Sequence, residues 1–406
     1  MNLDFGNAVQ QSARTLKQEG RDANQIAKVL CDRDPDGHNY GIGIILGGDG
    51  RPMPTSPTVL EGLKEELANS SAGSYMSSAK SMEDLRRSVL AWQRIPEKFW
   101  DRFILAVPSD AGTGAVVTAL QFTLALESAS FSILGVEELG WPPYKAMARL
   151  ARIDFQEHPA DDVIDGADVL PIYQAGPMNT TGRVSRAGLM SDRARSAAKR
   201  GCPVILDRAY SGFELARHAA DMEYGELMAR STARFITPFI EHGVPFCMAL
   251  SPTKAFVTFA LRPCGFTLVH HPSPETVTAW KPLLNAAIRA RGSAFEHPAT
   301  RAFIRAMIEK RPQMEKEHGT ALARLAEAES MWRRLAEGSA IEPLFGEDYA
   351  GLFRNPNIRQ GAEAAIYNDH LYPVFAQNRC RLNVTGIPGD EQLAAKQVRV
   401  YTQYCH

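Results

Sequence analysis

The chain has 406 residues, of which 45% are hydrophobic and 22% are charged, a composition typical of a globular protein with a sizeable core. Its net charge of -1 gives no electrostatic reason to expect a nucleic acid or an anionic membrane, so the expected partner is a small molecule or a second copy of the chain. Six scattered cysteines without a Cys-x-x-Cys pair predict reduced thiols, a cytoplasmic protein and no metal site.

The N-terminal region is predicted to be peripheral. Residues 1 to about 38 are polar and helical in pattern, which indicates an arm or a surface helix. The first twenty include Asp4 and Glu19 and lack an apolar core, so a secretory signal is not expected. The run from Asn39 to Gly50 has the spacing G-x-G-x-x-x-G, but prolines follow it where a dinucleotide-binding fold would begin a helix. We therefore predict a turn-rich strand whose glycines let the backbone approach a ligand or a neighbouring segment.

A turn suited to phosphate binding follows the first long strand. Helices are predicted at 57–68 and 82–92, and a small-residue loop at 70–78 carries Tyr75 between them. A strand at 102–107 then leads through Gly112-Thr-Gly-Ala115 into an apolar helix that ends near residue 126. Free backbone N–H groups and the helix dipole would both face an anion at this helix start. An ordinary helix cap is an equally good interpretation of this turn when the turn is taken alone.

Strands and helices alternate between residues 131 and 270. Strands are predicted at 131–136, 167–173, 203–206, 244–250 and 265–270, and a helix is predicted at 186–199. This alternation predicts an α/β protein with an open, mostly parallel sheet and helices on both faces. Ligands of such sheets bind at the carboxyl ends of the strands. The residues that follow the strand ends are therefore expected to converge: Gly112, Trp141, Asn179, Asp207, Tyr210 and Lys254.

The C-terminal third is predicted to be mostly helical. Helices are predicted at 276–291 and 312–337, and the second is long enough to bridge two domains. Its charged residues are interpreted as a solvated face. A short strand at 381–384 and a closing helix at 389–404 complete the chain.

One lysine stands where a buried strand opens into a predicted pocket. The stretch Ser251-Pro-Thr-Lys254 follows the apolar run at 244–250, and Arg262 lies close behind it. Burial favours the neutral amine of a lysine, which is the form that reacts with carbonyl groups, while Ser251 and Arg262 suit a phosphate. The stretch taken alone also fits a serine acyl-transferase of the Ser-x-x-Lys type, or a lysine that simply extends from a strand end to water.

The converging residues together meet the requirements of pyridoxal phosphate. That cofactor needs a lysine for its aldehyde, a carboxylate for its ring nitrogen, and a helix N-terminus with cations for its phosphate. Lys254, Asp207 and the turn at Gly112 supply one candidate for each requirement.

At this point the sequence resembles the fold-type I pyridoxal-phosphate enzymes and, among them, the class I aspartate and aromatic aminotransferases. Five motifs in the family's order carry this resemblance: Gly112-Thr-Gly-Ala115, Asn179-Thr-Thr-Gly182, Asp207-x-Ala-Tyr210-x-Gly-Phe213, Ser251-x-x-Lys254-x-Phe256 with Arg262, and Arg381-Leu-Asn-Val-Thr-Gly386. Asn39-Tyr-Gly-Ile-Gly43 is similar to the family's early substrate-contacting strand, and Arg289 lies where dicarboxylate-specific members have a second arginine. The likeness therefore covers nearly the whole chain.

The resemblance implies an architecture and a set of boundaries. It implies a large α/β domain, with a mostly parallel sheet of the seven-stranded type flanked by helices, and a small α+β domain built from both chain ends. The implied boundaries are an N-terminal arm at 1–20, small-domain segments at 21–55 and 316–406, and a large cofactor-binding domain at 56–315.

The resemblance also implies a role for each site residue. Lys254 would be the catalytic lysine that holds the cofactor and then moves the proton at the substrate Cα. The implied cofactor-binding residues are Gly112, Thr113, Trp141, Asn179, Asp207, Tyr210, Ser251 and Arg262, with Tyr75 supplied by a second subunit. The implied substrate-binding residues are Arg381, Gly43 and, from the neighbouring subunit, Arg289.

Several positions depart from the family pattern. Thr180 replaces the usual proline after Asn179, and either Trp141 or Tyr144 could stack on the cofactor ring. The sequence after Arg289 and residues 340–376 also diverge, which leaves the substrate side chain undetermined.

The expected activity is a ping-pong transfer of an amino group between a dicarboxylic or aromatic amino acid and a 2-oxo acid such as 2-oxoglutarate, in a cytoplasmic homodimer. A pyridoxal-phosphate lyase or decarboxylase is the main alternative. A non-catalytic cofactor-binding relative is a further one, and a Ser-x-x-Lys acyl hydrolase is disfavoured because no downstream Lys-Thr-Gly is present.

Overall fold

The structure is a computed structural model that describes residues 3–69, 73–127, 130–292 and 295–406. Part of the predicted arm (residues 1–2) and part of the predicted small-residue loop (residues 70–72) lie outside the described residues. The helices are α1 (Asp4–Gln18), α2 (Ala23–Asp32), α3 (Pro57–Ala68), α4 (Met82–Trp92), α5 (Ala111–Leu124), α6 (Pro143–Ala151), α7 (Leu189–Arg200), α8 (Tyr224–Phe235), α9 (Thr237–Glu241), α10 (Pro252–Ala255), α11 (Pro274–Gly292), α12 (Pro298–Glu309), α13 (Arg311–Leu335), α14 (Ala362–Asn368) and α15 (Glu391–Tyr404). The strands are β1 (His38–Asn39), β2 (Phe103–Ala106), β3 (Ile133–Glu137), β4 (Asp154–His158), β5 (Val169–Gln174), β6 (Val204–Arg208), β7 (Phe246–Leu250), β8 (Phe266–His270), β9 (Phe353–Arg354), β10 (Leu371–Tyr372), β11 (Val374–Ala376) and β12 (Arg379–Asn383).

A seven-stranded sheet forms the centre of the larger domain. Its order is β2-β8-β7-β6-β5-β3-β4, and β8 runs antiparallel to the other six strands. The central strands are buried along their whole length, which explains why they appear in the sequence as continuous apolar runs. The predicted α/β class and the mostly parallel sheet are confirmed.

Helices cover both faces of this sheet. Side chains of a strand alternate between the faces, so Leu206 packs in one hydrophobic cluster with Trp92 and Phe303, while Ile205 packs in the other with Val116. The first cluster lies under α4, α8 and α12, and the second lies under α5, α6 and α11. Because helices cover both faces, the carboxyl ends of the parallel strands are the edge of the sheet that is open to a ligand.

The two chain ends pack together beside the long helix α13. Strand β1 pairs in parallel with β10, and a small antiparallel sheet has the order β11-β12-β9. Their shared core includes Trp332 of α13, whose indole N–H donates to the carbonyl of Val384 at 3.0 Å. This arrangement supports a small domain made from both ends, while the boundaries at residues 20, 55 and 315 stay a prediction.

Some elements differ from the prediction. The turn-rich strand expected at 39–50 is wrong beyond Asn39, the last residue of β1. Asn39 Oδ1 accepts the N–H groups of Gly41 and Ile42, and the segment continues as turns with one isolated bridge. Strand β4 and helices α8 and α12 were not predicted. The polar sequence of β4 gave no strand signal because β4 is an edge strand with mostly exposed residues. No described helix combines the length and the apolar character needed to cross a membrane.

Candidate active site

A cavity of about 200 Å³ lies at the carboxyl ends of the parallel strands. Its lining includes nine residues that the sequence nominated for the cofactor or for catalysis: Gly112, Thr113, Trp141, Asn179, Asp207, Tyr210, Ser251, Lys254 and Arg262. They come from the ends of β2, β3, β5, β6 and β7, which confirms the predicted convergence.

The N-terminus of α5 forms one end of the cavity. No side chain among the described residues caps this helix, so its first N–H groups face the cavity without a side-chain partner. A Cβ at Gly112 would lie 2.5 Å from Cβ of Ser251, so only glycine lets the helix start approach the segment that carries the lysine. Arg262 donates to the carbonyl of Asp110 at 3.3 Å beside the same turn. This end therefore combines free N–H groups, a hydroxyl and a cation, which is the chemistry that binds a phosphate.

Lys254 lies in the first turn after β7, in the short helix α10. Its Nζ is 4.7 Å from the ring centroid of Tyr210. Burial lowers the pKa of Lys254 below its ordinary value of 10.5, the nearby charge of Asp207 opposes this change, and Arg262 reinforces it. The amine is therefore neutral, and nucleophilic, at a lower pH than that of an exposed lysine.

Asp207 lines the cavity near the end of β6. Its Oδ2 accepts from the hydroxyl of Tyr144 at 2.6 Å, and its Oδ1 accepts from the N–H of Ala209 at 3.1 Å. Burial raises the pKa of Asp207, whereas the Tyr144 hydroxyl, the Lys254 charge and the Ala209 N–H oppose that rise. Tyr144 is buried behind the wall and Trp141 lines the cavity, so Trp141 is the aromatic residue placed to stack on a bound ring.

The turn after β5 brings an amide and a phenol together. Asn179 Nδ2 donates to the hydroxyl of Tyr210 at 2.6 Å, at the same wall as Lys254. Thr180, which stands where the family has proline, donates its hydroxyl to the carbonyl of Gly140 at 2.9 Å. The turn is thus held by a hydrogen bond, and the side chain of Asn179 keeps its position in the cavity wall.

Arg381 lies on β12, beside the cavity. It donates to the carbonyl of Gly41 at 3.2 Å and to the side chain of Asn24, and its guanidinium is 4.3 Å from the ring centroid of Phe353. Its Nε is buried without a hydrogen-bond partner among the described residues. No carboxylate of the described residues forms an ion pair with it, although the charge of Asp22 acts on it from a greater distance. Gly43 shares this neighbourhood, because a Cβ there would lie 3.5 Å from Phe353. A half-buried guanidinium with an unused donor is suited to an anionic ligand.

A sequence comparison identifies the family of this protein. The family model described as "Aminotransferase class I and II" matches residues 39–338. The chain belongs to this family. It is therefore a pyridoxal-phosphate-dependent aminotransferase by family, which confirms the predicted family, enzyme class and cofactor. No sequence among the curated proteins matches this aminotransferase.

Solved structures share the fold of this aminotransferase at low sequence identity. The aromatic-amino-acid aminotransferase of Burkholderia pseudomallei, covalently bound to pyridoxal phosphate, has a TM-score of 0.77 at 16% identity, covering 94% of this chain and 97% of that one. The aspartate aminotransferase of Plasmodium falciparum has a TM-score of 0.76 at 16% identity, with coverage of 94% and 97%. A broad-specificity aminotransferase of Leishmania mexicana has a TM-score of 0.72 at 15% identity, with coverage of 93% and 95%.

The polar groups that line the cavity of the aminotransferase suit a polar cofactor such as pyridoxal phosphate. Two lining residues that sequence reasoning missed, Gln174 and Thr253, have polar atoms that are buried without a partner among the described residues. The backbone N–H of Asn179 donates to Gln174 Oε1 at 2.9 Å, and this bond fixes the side-chain amide of Gln174. The Nε2 of the same amide has no partner among the described residues. Unsatisfied buried donors in a cavity wall indicate a polar ligand. Gln174 is the last residue of β5 and Thr253 directly precedes Lys254, and these positions were the available signal.

Two predicted residues lie away from this cavity. Tyr75 is 83% exposed and stacks on Phe295, with ring centroids 4.6 Å apart. Arg289 is exposed on α11 and lines a separate groove of about 330 Å³ together with Phe295 and Arg291. The structure thus does not bring Tyr75 or Arg289 to the cavity of their own chain, and any role there requires a second subunit.

Proposed function

We propose that this aminotransferase moves an amino group between a dicarboxylic or aromatic amino acid and a 2-oxo acid such as 2-oxoglutarate, in a ping-pong reaction. The observation that carries the proposal is the position of Arg381, a guanidinium without a carboxylate partner among the described residues, close to the wall that holds Tyr210 and Lys254. Amino acids and 2-oxo acids share a carboxylate next to the reacting carbon. One arginine at this position is able to bind both.

The residues of the chain divide the work between binding and proton transfer. When bound, pyridoxal phosphate supplies the carbonyl carbon that reacts with an amine and a ring that accepts electrons. Lys254, as a neutral amine, takes the proton from the substrate Cα. Asp207 would pair with the ring nitrogen, and Asn179 and Tyr210 would donate to the ring oxygen. Trp141, which lines the cavity, would stack on the ring and restrict its movement.

The phosphate and the substrate carboxylate bind at separate places. The N-terminus of α5, with Gly112 and Thr113, would bind the phosphate together with Ser251 and Arg262. Arg381 binds the α-carboxylate through two parallel N–H donors, beside the backbone at Gly43.

The proposal includes a homodimer in which each subunit completes the site of the other. Tyr75 and Arg289 would reach the partner's cavity, where they bind the phosphate and a side-chain carboxylate. The exposed aromatic pair Tyr75 and Phe295, with Leu67 55% exposed nearby in sequence, supports a surface that a second copy covers. A cytoplasmic location is part of the same proposal, in line with six free cysteines.

The test is an assay of purified protein with pyridoxal phosphate, 2-oxoglutarate and one amino acid at a time. We expect glutamate to form with aspartate or with an aromatic amino acid, and Lys254→Ala to lower its rate by about 10³-fold or more. Lys145→Ala, which changes an exposed lysine on α6, is the control and should leave the rate unchanged. Release of pyruvate or carbon dioxide without glutamate would instead identify a lyase or a decarboxylase.

A further inference from the structure

The sequence Trp141-Pro-Pro-Tyr144 places two aromatic rings in different layers of the cavity wall. The two prolines begin α6, and the N–H of Tyr144 donates to the carbonyl of Trp141 at 3.2 Å. The rings of Trp141 and Tyr144 are 5.3 Å apart and nearly perpendicular, at 89°. Trp141 therefore faces the cavity, and the hydroxyl of Tyr144 reaches Asp207 from behind at 2.6 Å.

The hydrogen bond has a defined direction. Burial, together with the negative charge of Asp207, raises the pKa of Tyr144 well above its ordinary value, and Glu137 and Tyr210 act in the same direction. The phenol therefore stays protonated, donates its hydrogen, and leaves Asp207 as the acceptor. A donor of this kind stabilises a buried carboxylate as an anion without adding a positive charge beside it.

Asp207 has few other groups that favour its charged form. Burial in the wall disfavours the anion, and the opposing groups are the Tyr144 hydroxyl, the positive charge of Lys254 and the N–H of Ala209. Lys254 loses that charge when its amine becomes neutral. In the working state of the site, Tyr144 is then the side chain that holds the carboxylate ionised and fixes its orientation.

We propose that Tyr144 is a positioning residue that holds Asp207 as an oriented anion against the ring nitrogen of the bound cofactor. This inference rests on the proposed function, because it assigns Asp207 to that nitrogen. It gives Tyr144 a role in cofactor affinity and in pH dependence, which is distinct from filling space behind Trp141.

The test compares Tyr144→Phe with Tyr173→Phe as the matched control. Tyr173 is also buried, but its hydroxyl bonds to the backbone of Ile164 at 3.1 Å and does not contact Asp207. Apoprotein of each variant is titrated with pyridoxal phosphate, and binding is followed by visible absorbance and circular dichroism at several pH values. Loss of a hydrogen bond to a charged group should weaken binding by about 10-fold in Tyr144→Phe, whereas Tyr173→Phe should bind like the wild type.

The pH dependence separates an electrostatic role from a structural one. Without the phenol, the pKa of Asp207 rises further, so less of it is ionised at a given pH. The affinity loss of Tyr144→Phe should therefore be largest at the acidic end of the range and shrink as the pH rises. A loss of the same size at every pH would contradict the inference.

A double-mutant cycle shows whether Tyr144 acts through Asp207. In an Asp207→Asn background, Tyr144→Phe should cause no further loss of affinity, because the carboxylate that it serves is gone. Additive losses, or wild-type affinity of the single variant, would overturn the proposal. Failure of the wild-type protein to bind pyridoxal phosphate would instead contradict the proposed function, so the two failures are distinguishable.

Discussion

The cavity has two sides that are built in different ways. The side called here the inner wall consists of Asn179, Asp207, Tyr210 and Lys254, which lie at or after the ends of buried strands of one sheet. Tyr210 contacts both Asn179 and Lys254. The side called here the substrate side consists of Arg381 and Gly43, which lie outside the seven-stranded sheet. From this comparison we expect the sheet to fix the cofactor and the segments outside the sheet to select the substrate.

The two sides also differ in how complete they are within one chain. Hydrogen bonds join Asn179 to Tyr210 and Asp207 to Tyr144, so the inner wall is already ordered. On the substrate side, Arg381 has an unused buried Nε among the described residues, and the second arginine lies on another surface. Substitutions on the two sides should therefore change different measured quantities.

The substitution Arg381→Ala is expected to give the largest difference between the change in substrate KM and the change in cofactor affinity. Removal of the guanidinium should raise the KM for the amino acid by about 100-fold, since a bidentate contact to a carboxylate is lost. The affinity of the apoprotein for pyridoxal phosphate should stay unchanged. Steady-state kinetics and a cofactor titration measure the two quantities, and Arg399→Ala on α15 is an exposed-arginine control. A parallel fall in cofactor affinity would contradict the division into two sides.

The substitution Gly112→Ala is expected to lower cofactor affinity and to leave the substrate KM nearly unchanged, which is the reverse of the effect of Arg381→Ala. The added Cβ would lie 2.5 Å from Cβ of Ser251, so the start of α5 must move away from the phosphate. Cofactor affinity should fall by about 10-fold, and the KM for the amino acid should change little at saturating cofactor. Gly319→Ala in α13 is a suitable control, because the added Cβ would lie 3.7 Å from the side chain of Tyr224, which is an ordinary van der Waals contact. Unchanged cofactor affinity in Gly112→Ala would place the phosphate elsewhere.

A smaller effect is expected for Asn24→Asp, which gives Arg381 a competing carboxylate. The side chain of Asn24 already accepts a hydrogen bond from Arg381, so an aspartate at this position should form an ion pair with Arg381. The KM for the amino acid should rise by about 5-fold, as expected for an exposed pair, and added salt should reduce the effect. Asn24→Ala lacks the competing charge and should change the KM less. Equal effects of the two substitutions would argue against competition for the guanidinium.

The inner wall was predictable from the sequence because its signals are local. Buried strands of a parallel sheet appear as apolar runs, and the residues after them, such as Asp207 and Lys254, must meet at one edge. The glycine turn at Gly112 was equally visible. The family motifs then assigned a role to each of these residues, and the structure brings them into one cavity.

Other features depend on contacts that no local pattern encodes. The sequence presents Trp141 and Tyr144 as equal candidates for stacking, and only the packing of α6 shows which ring faces the cavity. The unused amide of Gln174 is visible only once its hydrogen bond to Asn179 is known. Tyr75 and Arg289 lie on the exposed surface, so the roles proposed for them depend on a second subunit, which one chain does not determine.

The most direct test of the account is to identify the lysine that binds the cofactor. Protein incubated with pyridoxal phosphate is reduced with borohydride, digested, and analysed by mass spectrometry over a range of pH. The account predicts one modified residue, Lys254, with a midpoint of modification below pH 10.5, because burial lowers the pKa of its amine. Unmodified Lys254, or modification spread evenly over exposed lysines such as Lys145, would contradict the central claim.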